Sequence, residues 1–175
     1  MTLKNLPTAE WMKRIHYSWE NIISGIFIYA IGDSIAQCIT GSFSISRMFG
    51  IALIGCTLYA IEIPNWFIFI DRITKNRVQD WKTKTYRMLL AIAYFNPLWI
   101  ARHIALVLLI SGKMSEISWA LIGVGFSSFL YQIPITIFGN FIIQNKLEYK
   151  WRFLANCVFS GLMAVYFALS AVWFK

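Results

Sequence analysis

The stretch "NIISGIFIYAIGDSIAQCIT", residues 21–40, is as long as a membrane-spanning helix and contains a single carboxylate, Asp33. A helix that crosses the hydrocarbon core of a bilayer needs about 20 mostly apolar residues. An ionised side chain at the centre of such a helix costs about 3 kcal/mol or more unless it is compensated. The stretch therefore predicts a membrane helix, and it predicts that Asp33 meets a partner or a wet cavity.

The composition extends this prediction to the whole chain. Of the 175 residues, 58% are hydrophobic and only 14% are charged, whereas a soluble domain carries about 25% charged residues. A soluble globule of this size has too high a surface-to-volume ratio to bury so much apolar surface. We therefore predict an all-α fold, a polytopic membrane bundle formed by a single domain.

Five apolar runs are long enough to cross a bilayer. The bundle is predicted to occupy residues 21–175, after an N-terminal interfacial segment at residues 1–20. In that segment Trp11, Ile15 and Trp19 recur at helical spacing, which predicts a short interfacial helix, and a simple flank to the first span is the alternative. The five runs lie at about 21–40, 48–70, 88–111, 118–143 and 153–174.

Lysine and arginine lie mainly on one side of this predicted bundle. Five alternating spans put twelve of them on the side where the chain begins, called side A here, and three on the opposite side B. Because cytoplasmic loops carry the excess of Lys and Arg, we predict that side A and the N-terminus face the cytoplasm-like compartment. The C-terminus is then on side B. Topology thus explains the net charge of +8, and no partner nucleic acid is expected.

Two of the spans resemble each other. "ALIGCTLYAIEIPNWFIF" at 52–69 and "ALIGVGFSSFLYQIPITIF" at 120–138 share "ALIG", an acidic or amide residue and "IP". Small transport folds are commonly built from repeats, with the substrate site near the midplane between them. The pattern favours a two-span repeat, and chance similarity between apolar segments is the alternative.

Polar side chains inside the spans define a candidate site. With a rise of about 1.5 Å per residue, Asp33 and Arg102 lie at similar depth, and we predict that they pair. Glu62 and Gln132 occupy matching places in the second and fourth spans. A belt of this kind lines a hydrated path or, alternatively, clamps helices together. The predicted path or ion-pair residues are Asp33, Glu62, Arg102, Gln132 and Asn140.

Further candidates surround this belt. His103 follows Arg102 directly, so the two side chains cannot both face one cavity, and a structural role is favoured for the histidine. Pro64, Pro97 and Pro134 are predicted to kink or break three spans around a cavity, with shape-fitting as the alternative. The secondary candidates are Gln37, Asn65, Asn96 and His103.

Motifs of enzymes and cofactor sites are absent from the sequence. It has no phosphate loop, no HExxH, no GxSxG and no convincing acid–base pair of carboxylates. Its cysteines, Cys38, Cys56 and Cys157, lie in apolar runs and match no metal spacing. We therefore expect a protein that is not an enzyme and that needs no cofactor or metal.

Short motifs spread over nearly the whole chain match a known pattern. They include Gly32, Asp33 and Gln37, then Arg47, Gly55 and Cys56, then Trp66, Phe67, Asp71 and Arg72, then "RMLL" at 87–90, Phe95, Pro97, Ser111 and Gly112, then Pro134, Asn140, Phe141, Arg152, Asn156 and Tyr166. In these residues the chain resembles the Mpv-seventeen / peroxisomal-membrane-protein-twenty-two family. The resemblance implies a small helical bundle linked to channel-like solute permeation in mitochondrial or peroxisomal membranes.

The chain departs from the pattern of that family at several places. Ala60–Ile61 replaces a glycine–proline pair, Ala91–Ile92 replaces "DQ", Ile133 replaces a tryptophan, and Gln144–Asn145 replaces "VP". A weaker resemblance links "LAIAYFNPLW" and "FGNFII" to the bacterial L-alanine exporters, although the "RPYG…RD" signature of those proteins is missing.

Three functions remain open at this point. The first is a membrane channel or transporter for small polar or charged solutes, and the second is an exporter of the L-alanine type. The third is a non-transporting structural or regulatory adaptor that uses the basic connection at 71–87. The expected partners are the lipid bilayer and a small polar solute, with a homo-oligomer as an open alternative. A bacterial inner membrane and a mitochondrial or peroxisomal membrane both fit.

Overall fold

The computed structural model describes residues 15–173, with side chains through residue 165. It is 83% helical, and the described residues contain no strand, which confirms the predicted all-α fold. Residues 1–14 of the predicted interfacial segment lie outside the described residues. The long helices are α1 (Trp19–Ile39), α2 (Ile45–Thr74), α3 (Trp81–Ile110), α4 (Ala120–Lys146) and α5 (Tyr149–Trp173).

Helices α1 to α4 are each long and apolar enough to cross a membrane. By length and composition they indicate an integral membrane protein. Helix α5 has 25 residues, but the side chains of its last part lie beyond the description, so the fifth span stays a prediction. The sequence-predicted spans fall on these helices, with ends that differ by a few residues and by up to seven at the start of α3.

Helix α2 lies at the core of the bundle and contacts α1, α3 and α5. Tyr59, Ala60, Ile63, Phe67 and Ile70 are all 0% exposed. After the adjacent Tyr59 and Ala60 they follow at intervals of three or four residues, which forms one apolar stripe along the helix. Because this stripe is fully buried, α2 packs against three other helices at once and forms the centre of the hydrophobic core.

The winding of α2 changes in its middle. A π-helical turn, Gly55–Tyr59, separates the α-helical parts Ile45–Ile54 and Ala60–Thr74. It lies about one turn before Pro64, whose ring interferes with regular α-helical hydrogen bonding. Helix α4 is α-helical throughout, even around Pro134, so the π turn has no counterpart there. The two-span repeat remains a prediction.

Glycines allow α1 to approach its neighbours closely. A Cβ atom added to Gly25 would lie 2.3 Å from the carbonyl oxygen of Gly55 in α2. A Cβ atom added to Gly32 would lie 2.7 Å from the Cα atom of Gly161 in α5. Without a side chain at these positions the backbones touch, which is how small residues hold membrane helices together.

Helix α3 consists of two half-helices, Trp81–Tyr94 and Pro97–Ile110. Asp80 caps the first half, and the backbone N–H of Thr83 hydrogen-bonded to its carboxylate lowers the pKa of that group. Asn96 caps the second half, because its Oδ1 accepts bonds from the N–H groups of Leu98 and Trp99 at 2.9 and 3.0 Å. The break is thus encoded by an asparagine followed by proline at the first helical position.

Residues 15–18 are not helical, so the predicted interfacial helix is wrong for this part of its range; they run along α2 and hydrogen-bond to it instead. The main-chain N–H of His16 donates to Asn65 Oδ1 at 2.9 Å, and Asn65 Nδ2 donates to the carbonyl of His16 at 3.0 Å. The hydroxyl of Tyr17 donates to the carbonyl of Cys56 at 2.7 Å. Asn65, a predicted site candidate, therefore fixes the entry of the chain into α1.

We expect Gly25→Ala to lower the free energy of unfolding by roughly 1–3 kcal/mol, because a rigid backbone oxygen occupies the place of the new methyl group. Gly123→Ala is the matched control, since no atom lies within 4 Å of its added Cβ and alanine favours a helix. Unfolding in detergent micelles, followed by circular dichroism, measures both. Equal stability of the two variants would contradict the close α1–α2 contact.

Candidate functional site

A cavity of about 430 Å³ lies in the centre of the bundle, and all five helices contribute to its wall. Such a volume is typical of sites for small organic molecules. Aromatic rings of Phe95, Trp99 and Phe159 form part of the wall. The polar side chains that line it include Asp33, His103, Gln132, Thr136, Asn140 and Asn156. Three of the five predicted path residues, Asp33, Gln132 and Asn140, are therefore brought together.

The carboxylate of Asp33 is bound by Arg47, not by Arg102. Arg47 Nη2 donates to Asp33 Oδ1 at 2.5 Å, and Arg47 Nε donates to Oδ2 at 3.0 Å. Gln37 Nε2 also donates to Oδ2, at 2.6 Å. The predicted Asp33–Arg102 pair is wrong, whereas Gln37, a secondary candidate, does take part in the site.

The short connection between α1 and α2 explains the choice of partner. Asp33 lies six residues before the end of α1, about 9 Å of helix, and Arg47 lies in the first turn of α2. Gln37 Oε1 accepts the N–H of Ser44 at 2.7 Å, which fixes the turn between the helices. Arg47 therefore reaches Asp33 from the adjacent antiparallel helix. Similar depth in the membrane had instead predicted a partner on α3, Arg102.

Arg102 and Glu62 form a second ion pair outside the cavity wall. Arg102 Nη1 and Nη2 donate to the two carboxylate oxygens of Glu62 at 3.0 and 2.6 Å. The hydroxyl of Tyr94 donates to Glu62 Oε2 at 2.7 Å. The predicted belt is thus divided: Glu62 and Arg102 bind each other between α2 and α3, and neither lines the cavity.

His103 faces the cavity in place of Arg102. Its Nδ1 lies 2.6 Å from the hydroxyl oxygen of Tyr59, and its ring stacks on Trp99 with an interplanar angle of 4°. Consecutive helical residues point about 100° apart, and Arg102 is directed toward Glu62 of α2 rather than toward the cavity. The sequence favoured Arg102 for the path, and the structure selects the histidine.

Two amide groups on the cavity wall have unpaired atoms. Asn140 Nδ2 donates to the carbonyl of Thr136 at 3.0 Å, but its Oδ1 has no hydrogen-bond partner among the described residues. Asn156 Nδ2 likewise has none within this part of the chain. Both residues are only 2% exposed. Buried polar atoms are nearly always paired, so these two residues mark the cavity wall as a place where hydrogen-bond partners are missing.

The prolines take different roles. Pro64 and Pro134 lie inside α2 and α4, as predicted. Pro97 instead begins the second half of α3 after the cap by Asn96. The break lies on the cavity wall, since Phe95 and Trp99 flank it and both line the cavity.

A third ion-pair cluster lies near side A and was not predicted as a site. The carboxylate of Asp71 binds Arg87 and is also bound by Arg152 Nη1 at 2.7 and 2.8 Å. Arg87 also donates to Thr74 Oγ1 and to the carbonyl of Gln144. This cluster joins α2 to α3, α4 and α5. In the sequence, the only sign of this cluster is that a carboxylate near the end of α2 and arginines near the ends of two other spans are all predicted on side A.

Comparisons with protein-family models, with curated proteins and with solved structures found no match. Within residues 15–173, no group of three or more His, Cys, Asp or Glu side chains is arranged to hold a metal ion. What the site can do therefore follows from its geometry alone: a largely apolar cavity that carries a bound carboxylate and unpaired amides.

Double-mutant cycles test the assignment of partners. We expect Asp33→Asn and Arg47→Gln to be coupled by about 1–3 kcal/mol, because removing either residue leaves the other charge without its partner in apolar surroundings. Asp33→Asn and Arg102→Gln should be additive within about 0.5 kcal/mol. Chemical unfolding in detergent micelles supplies the free energies.

The exposed Lys113–Glu116 pair is the control for this cycle. Its side chains are more than half exposed, so their coupling should be below about 1 kcal/mol. Strong coupling between Asp33 and Arg102 would restore the partner predicted from depth.

Proposed function

We propose that the protein is an integral membrane channel or transporter for small polar solutes, and that the solute passes through the central cavity. The observation that carries the proposal is the placing of unpaired Asn140 and Asn156 amides on the wall of a 430 Å³ cavity. A bundle that needed only mechanical strength would gain stability by filling that space with apolar side chains.

The broken helix supports the same function. Discontinuous spans are typical of transporters, where non-helical backbone is tolerated because it lines a cavity. Here the break between Tyr94 and Pro97 adjoins the cavity through Phe95 and Trp99. The proposed solute path therefore runs directly beside the break between the two half-helices.

Orientation and family are parts of the same proposal. The excess of Lys and Arg on side A supports an N-terminus on the cytoplasm-like side. The resemblance to the Mpv-seventeen / peroxisomal-membrane-protein-twenty-two family agrees with solute permeation. On this proposal the protein resides in an organelle membrane of the mitochondrial or peroxisomal kind, with a bacterial inner membrane as the other setting that the sequence fits.

Two adjacent serines on α4 provide a matched test. Ser128 lines the cavity, whereas Ser127 is exposed on the outer face of the helix. We expect Ser128→Phe to reduce solute efflux from liposomes by roughly tenfold or more, because the ring fills the cavity. Ser127→Phe should leave the efflux unchanged. Efflux of several small polar solutes from vesicles containing purified protein is the measurement.

Cysteine substitution repeats the test with little change in side-chain volume. In a background without the native cysteines, Ser128→Cys should react with a small, uncharged, water-soluble thiol reagent, and the reaction should block efflux. Ser127→Cys should not show this block. Vesicles that release no solute at all, or a Ser128→Cys variant that reacts without loss of efflux, would contradict the proposed path.

A further inference from the structure

The charges on the cavity wall are already compensated by the protein. Asp33 is the only carboxylate among the described lining residues, and these include no lysine or arginine. Its two oxygens accept bonds from Arg47, with Gln37 as an additional donor. A cation entering the cavity would compete with a guanidinium held in a two-point contact, which is a strong arrangement.

An anion would be no better accommodated. It would meet the carboxylate of Asp33 and find no cationic side chain of Lys or Arg among the described lining residues. Moving an unpaired ion from water into a site of low dielectric constant costs several kcal/mol even after relaxation. The cavity therefore offers ions of either sign no compensation for the water that they lose.

Uncharged solutes meet the opposite situation. Asn140 Oδ1 is an unpaired acceptor and Asn156 Nδ2 is an unpaired donor, and both belong to side chains that are 98% buried. A hydroxyl or amide group can donate to the first and accept from the second. The aromatic wall of Phe95, Trp99 and Phe159 suits the carbon skeleton of such a molecule.

Resting on the proposed transport function, we infer that the cavity selects small uncharged solutes that both donate and accept hydrogen bonds, such as polyols and amides, and excludes inorganic ions. Asn140 and Asn156 are the residues that contact the solute. The Asp33–Arg47 pair contributes by leaving no free charge on the wall.

The first experiment uses the unmodified protein in liposomes. Stopped-flow light scattering measures the entry of glycerol, urea and acetamide, and a potential-sensitive dye measures K⁺ and Cl⁻ conductance in the same vesicles. We expect the uncharged solutes to enter faster than into protein-free vesicles, with ion conductance at the protein-free level. Ion conductance above the protein-free level, with glycerol, urea and acetamide entering no faster than into protein-free vesicles, would overturn the selectivity and leave the transport function standing. No flux of any kind would overturn both.

The second experiment compares three leucine variants. Asn140→Leu and Asn156→Leu each remove one solute contact, so each should slow glycerol entry roughly threefold to tenfold, the effect of one hydrogen bond. Gln144→Leu is the matched control. Gln144 lies one turn from Asn140 on α4, is 0% exposed and has an unpaired amide among the described residues, but it does not line the cavity.

We expect Gln144→Leu to transport glycerol at the unmodified rate and to unfold at an equal or higher temperature, because it removes an unpaired buried amide. Thermal unfolding of all three variants identifies any that fail to fold, and the comparison of solutes on the unmodified protein does not depend on them. If folded Asn140→Leu and Asn156→Leu both carry glycerol as fast as Gln144→Leu, these asparagines do not contact the solute.

Discussion

A charge within the hydrocarbon layer must be paired, and in the described part of the chain α2 supplies one member of every ion pair between the long helices. Arg47 binds Asp33 of α1, Glu62 binds Arg102 of α3, and Asp71 binds arginines of α3 and α5. The two remaining ion pairs involve residues at or beside the connections.

The three ion-paired positions of α2 also divide the bundle by depth. At about 1.5 Å per residue they lie roughly 22 and 14 Å apart along the helix. One pair therefore holds the side B end, one the middle and one the side A end. Together with the fully buried stripe of Tyr59, Ile63, Phe67 and Ile70, they make α2 the element against which its neighbours are positioned.

This use of charge explains the character of the cavity. Each carboxylate inside the bundle is bound by an arginine, and two of the three lie away from the cavity wall. What remains on the wall, besides Asp33, is a set of amide, hydroxyl and imidazole groups among aliphatic and aromatic side chains. Helix packing and solute chemistry thus depend on different side chains, although they occupy the same helices.

The sequence predicted the helices well, because long apolar runs have few alternatives in 175 residues. It also predicted that Asp33, Gln132 and Asn140 meet at one site. It did not predict the partner of Asp33, since depth along a span does not say which helix lies next to it. Arg47 falls just outside the predicted span 48–70, yet an arginine side chain is long enough to reach inward from there.

Other features depended on rotation about a helix axis, which hydropathy does not fix. The orientation of Arg102 and His103 is of this kind, because the neighbouring residues are apolar on every face of that half-helix. The break in α3 was visible as a proline inside a span, but a kink and a complete interruption share that signal. The capping geometry of Asn96 distinguishes them, and it becomes evident only in three dimensions.

The interruption of α3 also constrains how the protein enters a bilayer. Each half has 14 residues, about 21 Å of helix, which is too short for a hydrocarbon layer of about 30 Å. Neither half can cross the bilayer independently, so the two halves must be inserted together as one span. The exposed peptide groups at the joint are tolerable only once Asn96 has satisfied them and neighbouring helices have covered them. Biogenesis of this span is therefore tied to assembly of the rest of the bundle.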